Sequence, residues 1–79
     1  MPIYPTVLLK EGISGQVIVR FAVETNGSIS NPTVVGRAHP EFEKAAIRAI
    51  LDWKYEPGRR KGKKIRFWMT QKFDFTLGG

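Results

Sequence analysis

The sequence predicts an α+β fold: a two-layer sandwich in which two helices cover one face of a three-stranded antiparallel sheet, in the order helix-strand-strand-helix-strand. Three observations lead there. Residues Gln16–Glu24 alternate apolar and polar side chains and run into Thr25-Asn26-Gly27, and Asn-Gly after an alternating run is the strongest short-range hairpin signal. Residues His39–Tyr55 carry one apolar stripe at helical spacing. Residues Lys64–Leu77 alternate again, as a strand with one covered face does.

The first element, Tyr4–Gly12, reads as a short helix, with Pro5 at a position where its missing N–H costs nothing and Gly12 after the last turn. Threonine and valine make it weak, so it depends on docking Val7, Leu8 or Leu9 onto a core. In the first strand, Val17, Val19, Phe21 and Val23 share one face, opposite Gln16, Arg20 and Glu24. The return strand spans Ser28 to about Arg37. Its inward residues change parity between Ile29 and Val34, and Pro32 removes a ladder donor, so a bulge is expected near Asn31 and the strand is either an edge strand or locally irregular.

In the second helix, Pro40 stands at the start and Glu41 and Glu43 in the first turn, where the dipole favours anions. Phe42, Ala46, Ala49, Ile50 and Trp53 form its stripe, and Pro57-Gly58 ends it. A basic loop, Arg59 to Lys64, precedes the final strand. There Ile65, Phe67, Met69, Gln71, Phe73, Phe75 and Leu77 alternate with Arg66, Trp68, Thr70, Lys72, Asp74 and Thr76. That is long for a strand, where five or six residues are usual.

At 79 residues the chain is one small domain, and a chain this size buries only about 60–65% of the surface it exposes unfolded, so its stability is marginal. It has no cysteine and one histidine, which excludes a disulfide framework and a thiolate or His-pair metal site. No apolar run approaches the roughly 20 residues of a membrane helix, and no signal peptide is visible. Of the thirteen basic residues, six (Arg59, Arg60, Lys61, Lys63, Lys64 and Arg66) lie within eight positions. The other seven are matched by seven acids, so the net charge of +6 resides in that segment.

No catalytic constellation can be argued. Ser14, Ser28 and Ser30 fall in turn or hairpin positions, His39 sits where a helix begins and more naturally caps or packs, and Glu41 and Glu43 complement a helix dipole. The remaining signals concern binding. Trp68, on the outer face of the last strand, is either exposed or packed beside Ile18 and the stem of Arg20. A three-stranded sheet keeps two open edges, which offer unpaired backbone groups to an added strand. The basic run Arg59, Arg60, Lys61, Lys63 and Lys64 either grips phosphates or is a solvated loop. Phe67 and Trp68 alternate to opposite faces and build no stacking platform beside it.

These residues resemble the C-terminal domain of the TonB family, the periplasmic energy transducers of Gram-negative bacteria. The match begins at Tyr4-Pro5, continues through Gly12-Ile13-Ser14-Gly15, the alternating Val17, Val19, Phe21 and Val23, Asn26-Gly27, and Pro40 with Phe42. It is most specific at Trp53-Lys54-Tyr55-Glu56-Pro57-Gly58, and closes on the basic, glycine-containing segment and Phe73 and Phe75. The resemblance implies a non-enzymatic, cofactor-free module of an inner-membrane-anchored protein that serves transport, siderophore transport included. Its parent chain would draw energy from an ExbB–ExbD-type complex. The domain would bind the TonB box of an outer-membrane transporter by strand addition.

The site would then be the backbone of Ile65, Arg66, Phe67, Trp68, Met69, Thr70, Gln71, Lys72 and Phe73, helped by the side chains of Arg66, Trp68 and Lys72. The expectation is an excised domain, residues 1–79, with Met1 added and with neither anchor nor proline-rich spacer, able to bind but not to transduce. The alternative is a small basic nucleic-acid-binding domain working through Arg59–Arg66. A long apolar edge also predicts a homodimer formed by pairing two last strands.

Overall fold

A computed structural model describes residues 3–77. Met1, expected to be an added start residue, lies outside them. The elements are α1 (Thr6–Lys10), β1 (Gly15–Val23), β2 (Ile29–Val35), α2 (Pro40–Leu51), β3 (Gly58–Arg60), β4 (Lys63–Ile65) and β5 (Phe67–Phe75). The expected architecture is present. A three-stranded antiparallel sheet has the order β2-β1-β5, and both helices lie on one face of it.

The core forms where the alternation of β1 meets the helix stripe. Val17, Val19, Phe21 and Val23 are buried under Leu8 of α1 and under Phe42, Ala46 and Ile50 of α2, with Phe73 and Phe75 of β5 completing the cluster. Only Leu8 of the three α1 candidates docks, while Val7 and Leu9 stay exposed. At one end, the rings of Phe42 and Phe75 stack at 4.4 Å, and Tyr4 stands edge-on to both at 5.6 Å. The Tyr4 hydroxyl donates to the Ile13 carbonyl, which ties the start of the chain to the segment after α1.

The first hairpin turns through three residues. The Gly27 N–H donates to the Glu24 carbonyl at 2.8 Å, and the Glu24 N–H to the Ser28 carbonyl at 2.9 Å, with Gly27 at φ +85. This is a type I turn closed by a glycine bulge. Asn26 accepts from the backbone N–H and the hydroxyl of Ser28, and so holds the turn. The expected bulge in β2 is also present: Arg20 faces Thr33 and Ala22 faces Ser30, and Asn31 takes φ +50.

Beyond differences of one or two residues at the ends of elements, the structure departs from the sequence reading in three places. Helix α2 ends at Leu51, not Tyr55, because the chain leaves the helix to pair its backbone with the first turn. Lys54 bridges Ser28, and the Tyr55 N–H donates to the Gly27 carbonyl at 2.9 Å. The basic segment is no loop but a hairpin, β3 with β4, turning through Lys61 (φ +51) and Gly62 (φ +78). Consequently the final strand is not continuous from Lys64. Residues 63–65 pair with β3, Arg66 breaks the strand, and β5 begins at Phe67.

A Cβ at Gly27 would overlap the Tyr55 carbonyl oxygen in addition to the strain of positive φ, whereas Gly36, also at positive φ, has nothing within 4 Å. Gly27→Ala is therefore expected to lower the unfolding free energy by about 2–4 kcal/mol, and Gly36→Ala by about 1 kcal/mol. Urea denaturation of both variants measures this. Equal losses would mean that the Tyr55 segment moves aside without cost.

Candidate functional site

Strand β1 is paired on both sides, with β2 through Ile18–Val23 and with β5 through every residue from Gly15 to Val23. That leaves β5 with a single partner and one open edge among the described residues, nine residues or about 30 Å long. The other open edge, on β2, is bent by its bulge and carries Pro32, both of which blunt strand pairing. β5 has neither device. Alternate residues along it direct backbone N–H and C=O groups away from β1, so they are available to an incoming strand.

The side chains of β5 divide between two faces. Phe67, Met69 and Gln71 lie half-buried at the rim of the core, and Phe73 and Phe75 lie within it. Trp68, Thr70, Lys72 and Asp74 are exposed on the face without helices. Of the residues expected to bind, Phe67 through Phe73 are thus brought together on one edge. Ile65 belongs to β4, opposite Gly58, and Arg66 sits at the break between β4 and β5. Arg59, Arg60, Lys61, Lys63 and Lys64 are set apart on the second hairpin.

Trp68 is exposed and also packed, but not beside Ile18, which stands opposite Lys72; Ala22 is its cross-strand neighbour. Trp68 remains 42% exposed, yet the guanidinium of Arg20 lies over its ring at 4.2 Å and that of Arg66 at 4.9 Å. Directly across from it, Ala22 has no exposed surface, although alternation points it away from the helices. Arg66 is fixed in turn by Glu24, its Nε donating to both carboxylate oxygens at 2.9 and 3.1 Å, and Ser30 also donates to that carboxylate. The group Ser30–Glu24–Arg66–Trp68–Arg20 therefore connects all three strands on the outer face. Sequence reasoning missed it because Glu24 and Arg66 are 42 positions apart and only the β1–β5 register makes them neighbours.

The segment Trp53–Gly58 positions this edge from behind. The Trp53 ring tilts against Phe73 at 5.2 Å and Tyr55 at 5.9 Å, and Tyr55 tilts against Phe21 at 5.6 Å. Partial burial pushes the Tyr55 phenol above its ordinary pKa. Gly58 begins β3 so close to Phe67 that a Cβ there would meet the ring at 2.8 Å. His39 caps α2, its Nδ1 accepting from the Glu41 N–H at 3.1 Å, so the lone histidine has a structural role.

The family model for the C-terminal part of the Gram-negative bacterial TonB protein matches residues 1–77. The chain belongs to the TonB C-terminal family. It is 31% identical over 77 residues to protein tonB2 of Pseudomonas aeruginosa, covering 96% of this chain and 28% of that protein. It is 30% identical over 77 residues to TonB of Xanthomonas campestris pv. campestris strain B100, covering 96% of this chain and 34% of that protein. The chain thus spans about a third or less of the length of these TonB relatives. Its fold matches the solution NMR structure of the P. aeruginosa TonB CTD with a TM-score of 0.85 at 28% identity, over 100% of this chain and 81% of that one. A structure of the TonB2 protein from Vibrio anguillarum matches with a TM-score of 0.75 at 32% identity, over 100% of this chain and 76% of that one.

In this TonB C-terminal domain the Ser30 hydroxyl, then the Arg66 guanidinium, hold the Glu24 carboxyl below its ordinary value of 4.5. A carboxylate whose folded pKa is depressed contributes stability above its unfolded pKa, and loses it as pH falls through the folded value. Glu24→Gln is expected to flatten the stability profile below about pH 4.5 relative to the parent domain. Denaturation midpoints measured down the acid range check this, and parallel curves would show that the cluster contributes nothing to acid sensitivity.

Proposed function

We propose that this chain is the peptide-capturing module of a TonB-like energy transducer serving transport, and that it takes up an extended segment by strand addition to the open edge of β5. The observation that carries the reading is the unblunted nine-residue edge on a strand whose other side is fully paired to β1. Main-chain bonds to that edge supply affinity. Selectivity comes from the side chains lining it, with Phe67, Met69 and Gln71 on the rim of the core and Trp68, Thr70 and Lys72 on the outer face. Arg66 acts beside them by holding the Trp68 ring, while Ile65 is withdrawn into β4.

The partner of this reading is the TonB box of an outer-membrane transporter. The chain acts as a single domain of a longer protein anchored in the inner membrane, with the domain in the periplasm and an ExbB–ExbD-type complex driving the remainder. No helix among the described residues is long and apolar enough to cross a membrane, so anchoring belongs to another part of that protein. Its work is mechanical: the domain holds a segment and transmits a pull, with no bond made or broken. Family membership and the open edge favour this reading over nucleic-acid binding, whose aromatic platform is lacking because Phe67 and Trp68 lie on opposite faces of β5. The same edge would also let two copies pair their last strands into a homodimer, which would compete with the peptide.

An amide-shift titration with a short TonB-box-like peptide tests the reading. Shifts are expected on Phe67–Phe75 and should survive added salt. N-methylation of the peptide at bonding positions should weaken binding about fivefold for each main-chain bond lost. Shifts confined to Arg59–Lys64 and abolished by salt would overturn strand addition.

A further inference from the structure

The β3–β4 hairpin carries five cations in six residues and takes no part in the edge of β5. Its register sets like charges directly opposite one another, Arg59 across from Lys64 and Arg60 across from Lys63, an arrangement that destabilises a two-stranded ribbon. Lys61, at the tip, sits at φ +51. All five are exposed, and none is ion-paired among the described residues, whose salt bridges are Lys44–Glu41, Arg66–Glu24 and Lys72–Asp74. Glu56, the nearest acid in the chain, pairs with none of them. Only the base is apolar: Ile65 lies across from Gly58, against which the Phe67 ring packs.

Alternation turns Arg59 and Lys64 to one face and Arg60 and Lys63 to the other, with Lys61 between them at the tip. Anions must therefore reach this ribbon from both sides and from the end. One carboxylate or one soluble phosphate cannot do that, whereas a layer of phosphate headgroups surrounds whatever enters it. Strands of three residues reach about 10 Å, comparable with the roughly 5–8 Å depth of the headgroup region on each side of a bilayer. Residues 59–64 include no apolar side chain, so the ribbon has nothing to place in the hydrocarbon beneath. Arginine forks and lysine ammonium groups both bind phosphate well.

We propose that the β3–β4 hairpin is a membrane-contacting finger that binds the phosphate headgroups of an anionic bilayer. This site is separate from the β5 edge, and it rests on the charge and register of the hairpin rather than on strand addition. It would hold the domain at a lipid surface while leaving β5 free to pair.

Co-flotation of the domain with vesicles of phosphatidylcholine alone, or of phosphatidylcholine with phosphatidylglycerol, tests the proposal. Binding is expected to the anionic vesicles only and should fall steeply as salt is raised. Arg60→Gln with Lys63→Gln should weaken it by about 25-fold, at about fivefold per charge near an anionic surface. That double variant relieves a like-charge pair, so its melting temperature should hold or rise, and its titration with the extended peptide should be unchanged. Lys10→Gln with Lys44→Gln removes the same net charge elsewhere and should leave vesicle binding nearly intact. The proposal is overturned if the two double variants lose binding equally, if neutral vesicles bind as well, or if millimolar inorganic phosphate displaces the domain fully. Tighter binding to a short DNA duplex than to anionic vesicles at the same salt would instead assign the finger to nucleic acid.

Discussion

The backbone contact between Gly27 and Tyr55 is the constraint on which the other elements depend. The Tyr55 N–H reaches the Gly27 carbonyl at 2.9 Å, and the Lys54–Ser28 bridge lies beside it. This pairing carries the chain out of α2 after Leu51, sets the Tyr55 ring on Phe21, and brings Gly58 against Phe67. The start of β3, and through it the position from which β5 departs, follow from where the first turn is held. Only glycine suits position 27, because the turn requires positive φ and the Tyr55 carbonyl occupies the space of a Cβ.

A chain this short covers one face of its sheet and leaves the other to side chains. On the covered face, β1 contributes four buried apolar residues and the helices supply Leu8, Phe42, Ala46 and Ile50. On the uncovered face, two guanidinium groups lie over Trp68, Ala22 across from Trp68 is fully buried, and Glu24 fixes Arg66. This arrangement substitutes polar and cation–π contacts for a third layer. It also stiffens the β1–β5 pair at the end where β5 begins, so the open edge is presented by a strand anchored along its whole length.

Charge and pairing capacity are segregated. The seven acids match the basic residues outside the Arg59–Arg66 segment, and the excess charge lies almost wholly on β3–β4, beyond the end of β5. Arg66, at the junction, is the cation of that run neutralised by an acid. An extended segment pairing with β5 therefore meets a mostly neutral strand, and electrostatics are concentrated on the adjoining finger.

Alternation and spacing in the sequence determined the fold class, the identity of the core, the first turn and the bulge near Asn31. These features depend on local periodicity or on a single residue's backbone preference, and both are visible in one stretch of chain. The same periodicity marked the two faces of the last strand, whereas Ile65–Phe73 became a candidate site only through the resemblance to the TonB C-terminal domain. Tertiary structure alone decided that β5 borders β1 on one side only, since strand order is a property of the whole sheet. It also decided that Ile65 is withdrawn into a second hairpin. Lysine at a left-handed turn position and like charges across a ladder both argue locally against that hairpin, and the packing of Gly58 against Phe67 accompanies it nonetheless. The Glu24–Arg66 pair and the docking of Tyr55 on Gly27 were likewise invisible in the sequence. Their partners are 42 and 28 positions apart, and no local pattern specifies a contact that the register must first create.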